Sequence, residues 1–536
     1  MKHKAIIKSV NKAFKDKEGY EKLCDALVNI FYPEYGGFRT DDKTEDYEAL
    51  FAQSSGVPSL KRRELAQSFP TMLRPTDKVW VEIRGRFDYG VKKDHQYKVE
   101  LKAKSKELYF YMYDQRSNIT TTTSSLDNAL ACLGQGVASV WFDVKKNHLT
   151  YIPHHLKEFA WRVDSAGDIT TVYRSWKPEV HMLRTMFGEN ELKFSKETED
   201  KIKDDDTMEI PVIHCVKKNP KFDSGTSKNE WLSIYIEKET GHELNSKELN
   251  YLPYIIPFWH RIPNKPYAYS PPAIVALPDS NLLQNVTASI LDAGQLAVEP
   301  TIIAQSGVVL GGDNNVNVSA GQFLFVDEKY DERGGAAIST LKRDLNGLPY
   351  GFEIQEGLTN FIHEAFYLNK ITLPAPVGQV TAYEIAQRVE EWVRNTLPLI
   401  EPISADYNYK LCKASLGALV GAGKMDMSEI PVDLDFTFTN PLTEGQEAGK
   451  MKILQDVLSI LGIVAEVDED QDAILDLETA VRDAVTSGEA PLEWFFDENA
   501  TKEIIQNRRK EKADNAEMLK AQQAMELAKT GKDIMS

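Results

Sequence analysis

The chain has 536 residues, 42% of them hydrophobic, so it is long enough for several domains and able to bury a core of ordinary size. Its 63 lysines and arginines face 81 aspartates and glutamates, a formal net charge of −18 that argues against a protein holding nucleic acid by neutralising phosphates. Cys24, Cys132, Cys215 and Cys412 stand far apart, a spacing that excludes a disulfide framework or a cysteine metal site and fits synthesis in a reducing cytoplasm. Charges interrupt every apolar run of MKHKAIIKSVNKAFKDKEGYEKL, so no secretory signal and no membrane span is expected there.

From the start to about residue 265, helical patterns mix with strand-like runs rich in aromatic and β-branched residues. VWVEIRGRFDYG at 79–90 and LYFYMYD at 108–114 are two such runs, and this half reads as α+β. Residues 195–210 are acidic and poor in hydrophobics, as in an exposed loop, and Asp204, Asp205 and Asp206 there read as a solvated charge run rather than metal ligands. Pro257, Pro263, Pro266, Pro271, Pro272 and Pro278 punctuate a connector. Leu282, Val286 and Ile290 then recur at helical spacing within 280–298, and Pro300 stops that helix. Residues 301–349 switch to short β-like pieces separated by Gly311, Gly312, Gly334 and Gly335, a small β-containing insertion. A second helix is expected over 353–368, with Leu358, Ile362 and Phe366 on one face.

NKITLPAPVGQVT at 369–381 holds Pro374, Pro376 and Gly378 and is a loop between helices. Thr381 and Glu384 form a capping box, and helical periodicity runs from Ala382 to about Ala422, interrupted only by Pro398 and Pro402. A continuous helix of that length spans about 60 Å, with a kink where the two prolines delete backbone donors. VDLDFTFTNP at 432–441 alternates in hydrophobicity and reads as a half-buried strand returning to a sheet. Helical stretches finish the chain: 464–498 carries twelve acidic residues against the single Arg482, and 499–536 is charge-mixed with high helical propensity.

No pattern for catalysis emerges. GALVGAGKM at 417–425 departs from a phosphate-binding loop at Ala418 and Met425 and follows a helix, so it reads as a glycine-rich helix end. GQGVAS at 134–139 lacks the third glycine of a dinucleotide fingerprint. His154 and His155 lie outside any metal-ligand spacing and read as packing or surface residues, and Cys24 and Cys412 have no partnered base in view. No enzymatic activity, metal or cofactor is expected.

The element order, with YAYSPPAIVALPDSNLLQNV at 267–286, AGQLAVEPTIIAQSGVV at 293–309, PVGQVTAYEIAQRVEEWVRNTLPLIEPI at 376–403 and FTFTNPLTEGQEAGKMKILQDVL at 436–458, resembles the head-to-tail connecting (portal) proteins of podoviruses. The resemblance implies an α+β, mainly helical subunit of a twelve-membered ring at one capsid vertex. Its wing would be residues 1–265 together with the strand near 432–441, and its stem 266–300 and 350–368. Its clip would be 301–349, its tunnel loop 369–381, its long channel helix 382–424, its wing return 425–463 and its crown 464–536.

Lys370, Thr372, Leu373, Pro374, Val377, Gly378 and Gln379 would then border the DNA channel, with Lys370 either touching phosphates or merely ending its helix; Pro398 and Pro402 would kink the long helix; and Trp392 would pack rather than stack on bases. Implied partners are other copies of the chain, the terminase large subunit, head-tail adaptor and tail proteins, scaffold, major capsid protein and double-stranded DNA passing through, with no membrane. At −18 per copy a largely acidic channel would repel the DNA backbone. The rival readings are another head-tail adaptor or minor capsid protein, a cytoplasmic hydrolase and a DNA-binding module.

Overall fold

The computed structural model describes residues 3–38, 53–85, 95–188, 192–202, 207–263, 265–298, 302–304, 338–340, 347–372, 382–427 and 434–439, with four residues between 504 and 510. Helix α1 (Lys4–Phe31) opens the chain and buries Val10, Ala13, Cys24, Leu27, Val28 and Phe31 along one side. Its first half lies on a five-stranded antiparallel meander of β4 (Phe159–Val163), β5 (Ile169–Trp176), β6 (Val212–Lys218), β7 (Trp231–Glu237) and β8 (Glu243–Leu249), where Val10 and Ala13 meet Ala160, Tyr173, Ile213 and Cys215. Its second half joins α2 (Val57–Leu73), α3 (His95–Met112) and α4 (Ile119–Leu133) around the main core.

A three-stranded sheet, β2 (Val137–Asp143) between β3 (His148–His154) and β9 (Tyr254–Ile255), closes that core. Strand β1 (Val81–Gly85) finds its partner at the far end of the described chain, in β14 (Leu434–Phe438), with Ile83 opposite Phe436. The alternating run at 432–441 is therefore a strand that returns to a sheet, as its pattern predicts, and the first half of the chain is α+β.

Three expectations differ. The first five residues of LYFYMYD are the end of α3, because Leu101, Ser105, Leu108 and Met112 are buried at spacings of four, three and four, a helical period that a seven-residue aromatic-rich run alone does not reveal. The acidic stretch after residue 195 contains a short helix, α6 (Lys196–Ile202), which follows α5 (Val180–Phe187); Ser195 caps it, and Thr198 and Ile202 are buried. Asp204, Asp205 and Asp206 lie outside the described residues. Helix α7 (Pro271–Val298) begins inside the proline-rich connector: Pro271 and Pro272 occupy its first turn, where a missing N–H costs nothing, and Pro278 sits at an exposed position. Of the expected β insertion, the described part is one short ladder, β12 (Ile302–Ala304) with β13 (Ile338–Thr340).

Candidate functional site: a helical hairpin and the long helix that follows

Helix α8 (Leu348–Ala365) runs back antiparallel along α7. Ile290 sits on Gly351, where an added Cβ would meet it at 3.2 Å, and Gln355 Nε2 donates to Thr287 Oγ1 at 3.2 Å. Glycine is what lets the two backbones approach there. The hairpin is rooted at its body end. Ala273, Ala276 and Leu283 enter the core, Ser270 Oγ donates to the Ala131 carbonyl at 2.6 Å, and Gln284 both accepts from the Ser55 N–H at 2.8 Å and donates to the Ser55 carbonyl at 2.7 Å. On the returning helix Ile362 and Phe366 are fully buried, and Phe366 packs edge-on against Phe31 at 5.4 Å. Of the stripe expected on α7, Ile290 packs on α8 and Val286 is half-buried, but Leu282 is 48% exposed, and the buried positions beside them are Leu283 and Thr287.

Tyr367, in a left-handed conformation with φ 59°, breaks the chain between α8 and a single turn, α9 (Leu368–Ile371). Lys370 ends that turn with its ammonium exposed and 5.8 Å from the centre of the Tyr367 ring, and Thr372 follows as an exposed extended residue. Leu373, Pro374, Val377, Gly378 and Gln379 lie outside the described residues. The turn before that segment is tied to the helix after it. From the next helix, α10 (Ala382–Ile403), Trp392 Nε1 donates to the Ile371 carbonyl at 2.9 Å and Thr396 Oγ1 to the Lys370 carbonyl at 2.9 Å. Trp392 is a packing and hydrogen-bonding residue, as its place in the sequence implies.

Pro398 and Pro402 both lie within α10, and two residues later the helix widens into a π turn over Ser404–Asn408 before α11 (Tyr409–Gly421) resumes the α register. The extra residue of a π turn swings side chains out of helical phase. Here it delivers Asp406 to the segment before β10 (His260–Arg261): one carboxylate oxygen accepts from the Phe258 N–H at 2.9 Å and from Lys410 Nζ at 2.7 Å, and the other from Arg261 Nη2 at 3.1 Å. Lys410 also donates to the Ile256 carbonyl at 2.8 Å, and burial brings its ammonium down to about 8 against the opposing pull of Asp406. On the other side Asn408 Nδ2 donates to the Leu73 carbonyl at 3.0 Å, and Tyr407 is buried under the Arg74 guanidinium, which grips Asp127 at 2.6 Å. Only the Asp406–Lys410 pair, four residues apart on one helix, is a local pattern; the contacts of Asp406 with Phe258 and Arg261 span 145 residues or more and were invisible in the sequence.

The glycine-rich segments resolve into backbone roles. After α11, the Gly423 N–H bonds the Val420 carbonyl at 3.0 Å and the Lys424 N–H bonds the Leu419 carbonyl at 2.9 Å, with Gly423 at φ +67°, a Schellman ending rather than a phosphate cradle. Gly134 ends α4 at φ +75° under the backbone of β11 (Ala268–Tyr269), where a Cβ would lie 2.0 Å from the Tyr269 carbonyl carbon. All four cysteines are buried thiols, and burial pushes Cys24 and Cys215 up to about 12, so neither offers a nucleophilic thiolate near neutrality. His154 meets Ser139 Oγ at 2.8 Å and His155 stacks on Tyr35 at 4.3 Å, so both are packing residues. Among the described residues no cluster of three or more His, Cys, Asp or Glu side chains is arranged to hold a metal, and no helix is long and apolar enough to cross a membrane.

A family model described as bacteriophage head to tail connecting protein matches residues 3–493. Among solved structures, the chain is similar to a chain of the virion of a native gene transfer agent particle, at 9% identity and a TM-score of 0.35 over 81% of this chain and 94% of that one. It is similar also to a chain of the neck of an empty gene transfer agent particle, at 9% identity and a TM-score of 0.36 over 78% and 90% respectively. No curated protein matches. The family match extends from the first turn of α1 past β14 and takes in nearly the whole chain, so the chain belongs to the bacteriophage head to tail connecting proteins, structural components of the virion that join head to tail and are not enzymes.

Proposed function

We propose that the chain is the ring subunit of the portal vertex of a short-tailed phage, the conduit through which double-stranded DNA enters the head and leaves it. The observation that carries this reading is the charge of the α7–α8 hairpin. Pro271–Val298 and Leu348–Ala365 contain Asp279, Asp292, Glu353, Glu356 and Glu364 and not one lysine or arginine. At about 100° per residue, Glu353, Glu356 and Glu364 fall on the face of α8 turned away from α7, and all three are exposed. A ring of such rods presents a wall of like charge to a phosphate backbone, which keeps DNA sliding rather than bound.

In this assignment α7 and α8 are the stem, residues 301–349 the clip, 369–381 the tunnel loop beside the channel, 1–265 with β14 the wing, and 464–536 the crown. Lys370 and Thr372 stand at the entry to the tunnel loop. The ring, made in the host cytoplasm, would number twelve copies, nucleate scaffold and major capsid protein, dock the terminase large subunit during packaging and then receive the adaptor and tail.

Electron microscopy of the purified chain with class averaging tests this. Rings of about twelve with an open centre are expected. A compact monomer that stays monomeric when expressed together with scaffold would overturn the ring, and a closed ring of a clearly different order without a stem would favour another head-tail adaptor.

A further inference from the structure

One face of α1 is charged against the grain of the chain. At about 100° per residue, Lys4, Lys8, Lys15 and Lys22 fall within about 40° of one another and Lys12 about 80° from Lys4, along about 27 Å of helix. All five are exposed, and among the described residues none of their side chains has an ion-pair or hydrogen-bond partner. Glu18 and Asp16 border the face on its two sides. Lys12 and Asp16 also line a shallow cleft with Arg162 of β4, so the positive surface continues from the helix onto the sheet.

Local forces do not favour this arrangement. Lys4, Lys8 and Lys12 repeat at four-residue intervals, where like charges repel, and the first turn of α1 holds no acidic residue to meet the helix dipole. On other helices a lysine finds a glutamate nearby: Lys61 pairs with Glu64 at 3.0 Å and Lys104 with Glu107 at 3.3 Å. A cationic face kept bare of such pairs, in a chain of net charge −18, is a surface for an anion.

Two observations select the anion. None of the large apolar side chains exposed elsewhere lies on α1 or on β4, β5 or β6, so the surface lacks the apolar anchors by which a separate folded protein is held. The chain itself carries the complementary charge. Between 464 and 498 twelve acidic residues stand against the single Arg482, and from Glu466 to Glu478 there are seven and no cation. A polyanion in solution, duplex DNA included, must approach against the net negative charge of the chain. A segment of the same chain is present at an effective concentration on the order of mM, enough for individually weak pairs to add up. Reach is no obstacle: β14 ends at Phe438 beside β1, whose Val81 and Ile83 share a core with Leu27 and Phe31 of α1. Residues 439–464 extend to about 90 Å at about 3.4 Å each, about twice the length of α1.

We propose that the acidic run of residues 464–498, which lies outside the described residues, docks on the lysine face of α1 in the same copy. The contact is a set of ammonium–carboxylate pairs, screened by salt and reversible, and by covering these lysines it withholds a cationic surface from duplex DNA. It goes beyond the ring reading and does not depend on it.

The test couples ammonium to carboxylate directly in the full chain with a water-soluble carbodiimide at low salt. Proteolysis and mass spectrometry of the monomer band from a denaturing gel then read contacts within one copy. Links from Lys4, Lys8, Lys12, Lys15 or Lys22 to carboxylates within 464–498 are expected, and about tenfold fewer at about 1 M salt, where the screening length is about 3 Å. Lys8→Glu, Lys15→Glu and Lys22→Glu together should abolish the links of those three positions, and adding Asp470→Lys, Asp472→Lys and Asp476→Lys should restore them in the reversed sense. The three α1 positions are exposed, so the core is untouched.

Lysines of this face left unlinked, or linked only to carboxylates outside 464–498, would overturn the proposal. The same links found only in a dimer band would assign the face to a second copy and overturn it too. Protection of these lysines by a short DNA duplex, with no link to 464–498 in its absence, would make the face a phosphate-backbone site and equally overturn it. Electron microscopy of the uncoupled samples scores ring formation separately, so failure of the ring and failure of this contact are told apart.

Discussion

At the scale of single residues, a set of histidines and one aspartate set measurable behaviour. His214 is fully buried between the two larger sheets, stacked on Tyr235 at 3.8 Å and bonded to the Tyr254 hydroxyl and to Ser233, and burial holds its imidazole well below the ordinary histidine value; His154 is lowered likewise, and His155 to about 4. A histidine whose folded value is depressed stays neutral in the fold and takes a proton only on unfolding. Its contribution is therefore present above the unfolded value of about 6.5 and is lost as pH falls towards the folded value. Stability measured by denaturant titration should fall between pH 6.5 and 4, with each such histidine adding about 1.4 kcal/mol per pH unit to the slope. His155→Phe keeps the stack on Tyr35 and is expected to remove one histidine's share of that slope. An unchanged slope would mean that His155 titrates normally in the fold.

The second group is Asp406. Asp406→Asn keeps an acceptor for the Phe258 N–H but leaves Arg261 and Lys410 without a counter-charge; because the three side chains are 24–36% exposed, the expected loss is about 1–2 kcal/mol rather than that of a deep ion pair, read as a lower denaturant midpoint. The role of Gly423 was legible from spacing, because a failed motif beside a helix end points to the helix end, whereas the rejected fingerprint at 134–139 gave no hint that Gly134 ends a helix. Asp406 was not legible, since the π turn that aims it has no sequence signature and, Lys410 apart, its partners come from another part of the fold.

At the scale of elements, periodic helices were read correctly in kind and misjudged at their starts. Prolines at 271 and 272 look like punctuation although they sit where a first helical turn tolerates them, and starting α8 at 353 left Tyr350 and Phe352 out of the helix. The long helix was placed from Ala382 to about Ala422, and the structure carries helical backbone from Ala382 to Gly421 through the π turn. Whether the two prolines kink such a rod is testable. Pro398 and Pro402 are both exposed, so replacing either removes no packing; it restores a backbone donor where a proline in a helix interior costs about 3 kcal/mol. Pro398→Ala is expected to straighten α10 and stabilise it by part of that amount in a solved structure and a melting curve. An unchanged course would mean that the anchors of the π turn, Asp406 and Asn408, which grip the body on both sides, and not the prolines, set the direction of the helix.

At the scale of the whole molecule, the decisive property is where charge is missing, and a net charge of −18 gave only the sum. The placement of Glu353, Glu356 and Glu364 on one exposed face of α8 needs the hairpin geometry, since α8 meets α7 through Gly351 and Gln355 on its other face. If that face lines a DNA channel, its charge governs how strongly the ring holds the duplex. A chain carrying Glu353→Lys, Glu356→Lys and Glu364→Lys leaves Ile362, Phe366 and the other apolar side chains of the hairpin intact, so it should assemble as the parent does. Each lysine that meets a phosphate releases a counter-ion, and the logarithm of DNA affinity then falls with the logarithm of salt at about 0.9 per neutralised phosphate. The parent ring is expected to retain no duplex DNA in a filter or sedimentation assay from low to physiological salt. The triple variant should retain DNA at low salt with a steep salt slope and should package more slowly, because a duplex held by its phosphates must break those contacts at every step. Salt-insensitive retention, or packaging at the parental rate, would mean that this face of α8 looks away from the channel, and the acidic wall would have to be sought on another element.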